Sequence, residues 1–409
     1  MNQSKSLKVV IVGGGFAGVK TALILSHYDQ VSVTLISATD NFSYFPQLYH
    51  SATGGIMAES AIPLEELLGG TSVELVKDTV TTFAPDNHLV TGSSNKSYSY
   101  DRLVLAMGAV TNYFGIQGLD EFSYDIKSPA GADRFKRHLH KQLIEDKKTD
   151  TNYVIVGGGP TGVELSAALG DYLHRITKLH GMKKPKYHID LVEAAPRILP
   201  RSPETMSVRV TKRLEALGVT VMAGATVKAE TADQLQLAGE SLRTKTVVWT
   251  AGVSNNPFFK ANAEHFTLEK NGKVHVDDHL FGAKDVYVVG DNAFTQYSGM
   301  AQTALHDAIY VSADILAHVG GKAHGPYKAA KPISVIPVGA HYSAAEWGPV
   351  TFYGYPGYIL RRLADLVGYL DIESVPRAIK LWLSDSKRDD ECPICSPREQ
   401  SQPVTSPAN

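Results

Sequence analysis

Cysteine is almost missing from this chain: its 409 residues hold only Cys392 and Cys395, both near the carboxyl end. No disulfide framework can support the body of the fold. Long apolar runs are missing too, and nothing approaches the roughly 20 consecutive apolar residues that a spanning helix needs. Neither charge sign dominates: 40 Lys plus Arg stand against 42 Asp plus Glu, a formal net charge of −2. That balance sets aside nucleic acid as a partner. The start of the chain also lacks a charged, then apolar, then small-residue leader, because Met1 is followed almost directly by the apolar run Lys8 to Val12. The expectation is no secretory signal and residence on the cytoplasmic side.

What remains is a globular composition, 43% hydrophobic and 20% charged, too long for one ordinary core. One pattern occurs twice. An apolar strand from Lys8 runs into Gly13-Gly14-Gly15-Phe16-Ala17-Gly18 and then a periodic helix through Val19, Leu23 and Leu25. From Tyr153 the same order returns: strand, Gly157-Gly158-Gly159-Pro160-Thr161-Gly162, and a helix through Val163, Leu165 and Leu169. A single G-x-G-x-x-G is weak evidence, but a strand before it and a helix after it form the context the motif requires. The first glycine permits the turn, the second lets backbone approach a pyrophosphate, and the third lets helix and strand pack closely. The helix N-terminus then supplies amide donors.

Two further echoes, Leu103 to Ala109 and Val247 to Val253, are apolar runs ending in small residues and glycine. They suit strands whose ends face a cofactor and mark the passages between two nucleotide-binding domains. The expected architecture is α/β, with two Rossmann-like domains and a C-terminal amphipathic helical region. The first nucleotide domain would take residues 1–115 and 251–330, the second 116–250, an attachment or dimerisation region 331–384, and a disordered tail 385–409.

In order and spacing, GGGFAG, LVLAMGA, GGGPTGVE, VVWTAGV, VYVVGD and AQTA resemble the type-2 NADH:quinone oxidoreductases, over about residues 8–320. The resemblance implies FAD in the first glycine loop, cradled by Gly13, Gly15, Phe16, Ala17 and Gly18, with Asp291 on its ribityl–pyrophosphate region and Pro46 near the isoalloxazine. Ser37, Val80, Ala106, Gly108, Ala301 and Gln302 complete that site. Ser37 departs from the acidic residue usual at this position, leaving Asp40 to compensate. NADH would lie on Gly159, Pro160, Thr161 and Gly162, with Ala251 and Gly252 beside it. Glu193 would bond the ribose hydroxyls and disfavour a 2′-phosphate, a preference that Arg197 could soften.

Glu164 would lie near nicotinamide and flavin; otherwise it is a carboxylate stabilising its helix N-terminus. Gln302 matches the family's quinone-site helix, whereas His306 replaces a usual glutamine on the same face. His306 either gives a proton to the quinone or is satisfied by a nearby backbone carbonyl. No cysteine precedes Cys392, which removes thiol–disulfide and sulfide-oxidising chemistry.

At the end, Ile359, Leu360, Leu363, Leu366, Val367 and Leu370 form one helical stripe opposite Arg361, Arg362 and Asp365. Val375, Ile379, Trp382 and Leu383 form a second, with Arg377 and Lys380 facing away. The reading is a monotopic enzyme on the cytoplasmic face of the cell membrane, with a homodimer expected. Cys392 and Cys395 lack the second ligand pair zinc needs, so no metal is expected. The rival readings are a soluble flavoprotein reductase serving a protein carrier and a non-catalytic nucleotide-sensing protein.

Overall fold

A computed structural model describes residues 6–182 and 186–384; Cys392, Cys395 and the 385–409 tail lie outside the described residues. The chain opens with β1 (Leu7–Val12), crosses through α1 (Phe16–Leu25) to β2 (Val31–Ser37), and adds β3 (Glu74–Lys77) beyond it. On the other side of β1 lies β4 (Arg102–Leu105), and every one of these pairings is parallel. Strand β1 shows no apolar–polar alternation because both faces are covered. Val9 and Ile11 enter one core with α1, Val10 and Val12 another, as a parallel sheet between two layers requires.

The second sheet repeats this plan. Its strands are β5 (Tyr124–Asp125), β6 (Asn152–Val156), β7 (His188–Glu193), β8 (Val219–Ala223) and β9 (Thr246–Trp249). They pair in the order β5-β9-β6-β7-β8, all parallel. Helix α2 (Pro160–Leu179) follows β6 as α1 follows β1. The chain then returns to the first sheet with β10 (Phe281–Ala283) and β11 (Val286–Val288), giving the order β10-β11-β4-β1-β2-β3. Between the sheets, Ala109–Thr111 and Val253–Asn255 pair as an antiparallel ribbon.

Helix α3 (Ala301–Val319) buries Ala304, Ala308 and Val311 in the same core as Phe16 and Val19 of α1. A small antiparallel sheet follows, β12 (Ser334–Pro337), β13 (Ser343–Trp347) and β14 (Val350–Gly354), then α4 (Tyr355–Leu370) and α5 (Val375–Ser384).

Helix α4 is turned against the usual rule. Its inward residues are Gly357, Arg361, Asp365 and Tyr369, while Ile359, Leu363, Val367 and Leu370 stand 40–59% exposed. Val375, Ile379 and Leu383 of α5 are also exposed. Trp382 departs from its expected stripe: it lies under the Arg362 guanidinium at 4.6 Å and donates its indole N–H to the Arg362 carbonyl at 2.7 Å.

Candidate functional site

The glycines of each loop divide into positions closed to a side chain and one position left open. An ideal Cβ on Gly13 would lie 2.1 Å from the Ala106 carbonyl oxygen, and one on Gly18 only 1.9 Å from that of Gly13. In the second loop a Cβ on Gly157 would lie 2.7 Å from Ala251 Cα, and one on Gly162 1.8 Å from the Gly157 oxygen. At Gly15 and Gly159, by contrast, a Cβ meets nothing within 4 Å. Both open glycines are N-caps without a side-chain capping bond, and neither helix has an acidic residue in its first turn. The amides there are unspent and the positive helix end is uncompensated, so each loop fits a pyrophosphate.

Around the first loop, a closed ring of contacts forms. Phe16 lies 6.5 Å from the ring of Phe45, and the Lys127 ammonium is 4.9 Å from the centre of that ring. Lys127 also stands 3.9 Å from the Asp291 carboxylate. Next to Asp291, Gly290 faces both Ala17 of α1 and Ala304 of α3. Pro46 follows Phe45, and Ala301 opens α3. Behind the ring, the fully buried Asn292 accepts from the Gly108 N–H at 3.0 Å and donates to the Gly108 carbonyl at 2.8 Å and to Asn255 at 2.6 Å. That clamp joins the ends of β4 and β11 to the interdomain ribbon. Sequence reading did not single out Asn292 or Lys127.

Other expected residues are positioned differently. Ser37 is buried and donates to the Thr39 carbonyl at 2.8 Å, and Asp40 pairs with Lys77 at 2.5 Å. Val80 is buried in the core with Val12 and Ile36. Glu193 accepts from the backbone N–H of Gly158 at 2.6 Å and of Ala195 at 2.7 Å, which fixes its carboxylate against the second loop. Arg197 donates to the carbonyls of Leu199, Pro200 and Ser202. With those bonds made, it serves its own turn.

Glu164 lies beyond the first turn of α2, where the helix dipole has little hold on it. Its side chain is 14% exposed, with Arg361 at 3.9 Å. Burial pushes its carboxyl up to about 8, aided by Asp365 and opposed by Arg361. Arg361 in turn bonds Asp365 at 2.8 Å and the Pro46 carbonyl at 2.6 Å. Gln47 donates to the same Asp365 carboxylate at 3.4 Å. Thus the polar side of α4 reaches the segment beside the first cradle and the acid on α2. The helical wheel separated Arg361 and Asp365 from the apolar stripe; it could not say which side turns inward.

Gln302 is exposed and accepts from the Ile333 N–H at 2.8 Å, while His306 Nε2 donates to the Lys328 carbonyl at 2.8 Å. Both side chains tie α3 to the segment leading into β12. Of the two readings of His306, the backbone-satisfied one matches these contacts. Among the described residues there is no cluster of His, Cys, Asp and Glu suited to a metal, and no helix is long and apolar enough to cross a membrane.

The chain is similar to several known proteins over most of its length. The type II NADH:quinone oxidoreductase Ndh of Mycobacterium tuberculosis is 28% identical over 393 residues, covering 88% of this chain and 85% of its own. A type II NADH:quinone oxidoreductase of Staphylococcus aureus is 26% identical over 396 residues, covering 91% and 98%. Among solved structures, NDH2 from Plasmodium falciparum in complex with NADH superposes with a TM-score of 0.83 at 17% identity, covering 94% of this chain and 98% of that one. The sulfide:quinone oxidoreductase of Aquifex aeolicus gives 0.74 at 19% identity, over 88% and 90%. Residues 7–308 match the model of one family throughout. The chain belongs to the pyridine nucleotide-disulphide oxidoreductase family.

Proposed function

We propose that this protein is an FAD-dependent NADH:quinone oxidoreductase that works at a membrane surface. The observation that carries this reading is the pair of uncapped glycine cradles, each with one open glycine, on two sheets joined by a short ribbon. FAD, when bound, accepts hydride from NADH and passes two electrons to a quinone. Gly13, Gly15, Phe16, Ala17 and Gly18 hold its pyrophosphate, with Ala106, Gly108, Asp291 and Ala301 around it. Gly159, Pro160, Thr161 and Gly162 hold that of NADH, and Glu193 takes the ribose hydroxyls. With no cysteine before residue 392, the chain carries electrons without a thiol pair in its body.

NADH brings two electrons and one proton, and a quinol needs two electrons and two protons, so one proton comes from solvent. Glu164 would carry it, because burial pushes its carboxyl up to about 8, so that it is protonated at neutral pH and can donate. Arg361 and Asp365 orient that acid from α4. The exposed apolar side of α4 and α5 would enter the membrane interface, where burying even half of its side chains contributes on the order of 10 kcal/mol gross. The cytoplasmic face is the proposed location.

Purified protein tests the reading. It should be yellow, bleach on NADH, and recover its colour with a soluble quinone faster than with a small carrier protein. A colourless chain that cannot be reconstituted with FAD would overturn it. Flotation with vesicles tests the membrane face, and a second copy of the chain covering that face is the competing outcome, read by sedimentation.

A further inference from the structure

Lys127 closes the first cradle from the other half of the molecule. It follows β5, where Asp125 accepts the Lys127 backbone N–H at 3.1 Å. Immediately after it, Ser128 caps the helix Pro129–His140 by accepting from Gly131 N–H. These two devices fix the backbone on both sides of the lysine. In the ring running Phe16, Phe45, Lys127, Asp291, Gly290 and Ala17, it is the member that comes from the second half.

Its side chain is 30% exposed and, among the described residues, its ammonium donates no hydrogen bond. The Asp291 contact at 3.9 Å is an ion pair without one. Nor does Asp291 belong to Lys127 alone. Lys273 also feels its charge and donates to Ser298 at 2.6 Å. Burial, with Arg201 and Lys127 nearby, holds the Lys273 ammonium below its usual range. Three cations, Lys127, Lys273 and Arg201, thus share this neighbourhood with two acids, Asp291 and Asp307, and burial pushes the Asp307 carboxyl toward its neutral form.

We propose that Lys127 is the cation facing the flavin from the NADH-binding half, and that it favours the reduced cofactor by opposing the negative charge that reduction adds. The inference rests on the reading that the first cradle holds FAD. No further chemical step is added, since the lysine acts by its charge alone and keeps its protons. An ammonium works here because attraction across a few ångströms of partly dry site is stronger than in bulk water. Lys127 also spans the two halves, so that charge is delivered only when they are in register.

The test compares Lys127→Met and Lys127→Arg with the parent protein, reading FAD content, the flavin midpoint potential by dye equilibration, and the rate of bleaching by NADH. Lys127→Met should keep FAD while the equilibrium for flavin reduction falls about tenfold, a shift of about 30 mV to more negative potential for a two-electron couple. Lys127→Arg should return to within about threefold of the parent. A flavin-bound Met variant with unchanged potential overturns the proposal, as does an Arg variant no better than Met. Should the Met variant not fold, Lys127→Gln takes its place, with the same readouts and the same expected shift. A parent protein without reducible flavin defeats the cradle reading instead, which keeps the two failures apart.

Discussion

Glu164 sits where desolvation outweighs a cation 3.9 Å away, so its neutral form persists to about pH 8. The kinetic consequence is an alkaline limb. Quinone turnover should fall as pH rises through about 8, and Glu164→Gln should flatten that limb while lowering the neutral-pH rate about tenfold or more. An unchanged profile in the variant removes Glu164 from proton delivery. Stability follows the same sign. A carboxyl whose folded pKa is raised contributes most below its ordinary range near 4.5 and loses that contribution as pH climbs to about 8. The parent should therefore melt progressively earlier over that span relative to the Gln variant. At the second cradle, fixed Glu193 and occupied Arg197 predict kcat/KM for NADH about tenfold or more above NADPH. Equal values would refute it. His306→Gln should change quinone dependence less than about twofold, since its Nε2 bond serves a backbone carbonyl. The glycines of both loops were legible in sequence because strand, turn and helix are contiguous there. Arg361 and Lys127 were not, because each reaches a site whose other residues lie far away along the chain.

At the scale of elements, the two loops predict opposite results for similar changes. Gly18→Ala drives a Cβ into the Gly13 carbonyl and should destabilise the fold by about 2–4 kcal/mol, in the range of severe single substitutions. Gly15→Ala has room in the protein alone, so the chain should fold with a near-parent melting temperature yet bind FAD at least tenfold more weakly. Apoprotein titrations with FAD, read by flavin fluorescence, decide it. Equal FAD affinity in Gly15→Ala would mean the open space is not the pyrophosphate seat. Helix α4 was legible as amphipathic, since periodicity is local, but its orientation was not, since that depends on Pro46 and Gln47 offering partners to Arg361 and Asp365. Deleting everything after residue 354 would consequently remove part of the site along with the apolar face. Leu363→Glu with Val367→Glu is the cleaner change: vesicle binding should fall about tenfold or more while the flavin spectrum stays as in the parent.

In the whole molecule, two sheets built on one plan are held in register by a ribbon, a buried amide and a lysine. Asn292 meets both the β4 end and Asn255 on the ribbon while fully buried, so Asn292→Ala strands several polar groups at once. It should cost about 2–3 kcal/mol, measured by denaturant melts. The reversed helix has a practical corollary as well. On the proposed membrane attachment, an amphiphile covering the exposed side of α4 would lie one helix thickness, about 10–12 Å, from the side that bonds the Pro46 carbonyl. Turnover should therefore vary with the amphiphile in the buffer, and equal rates across detergents would count against a membrane-facing α4.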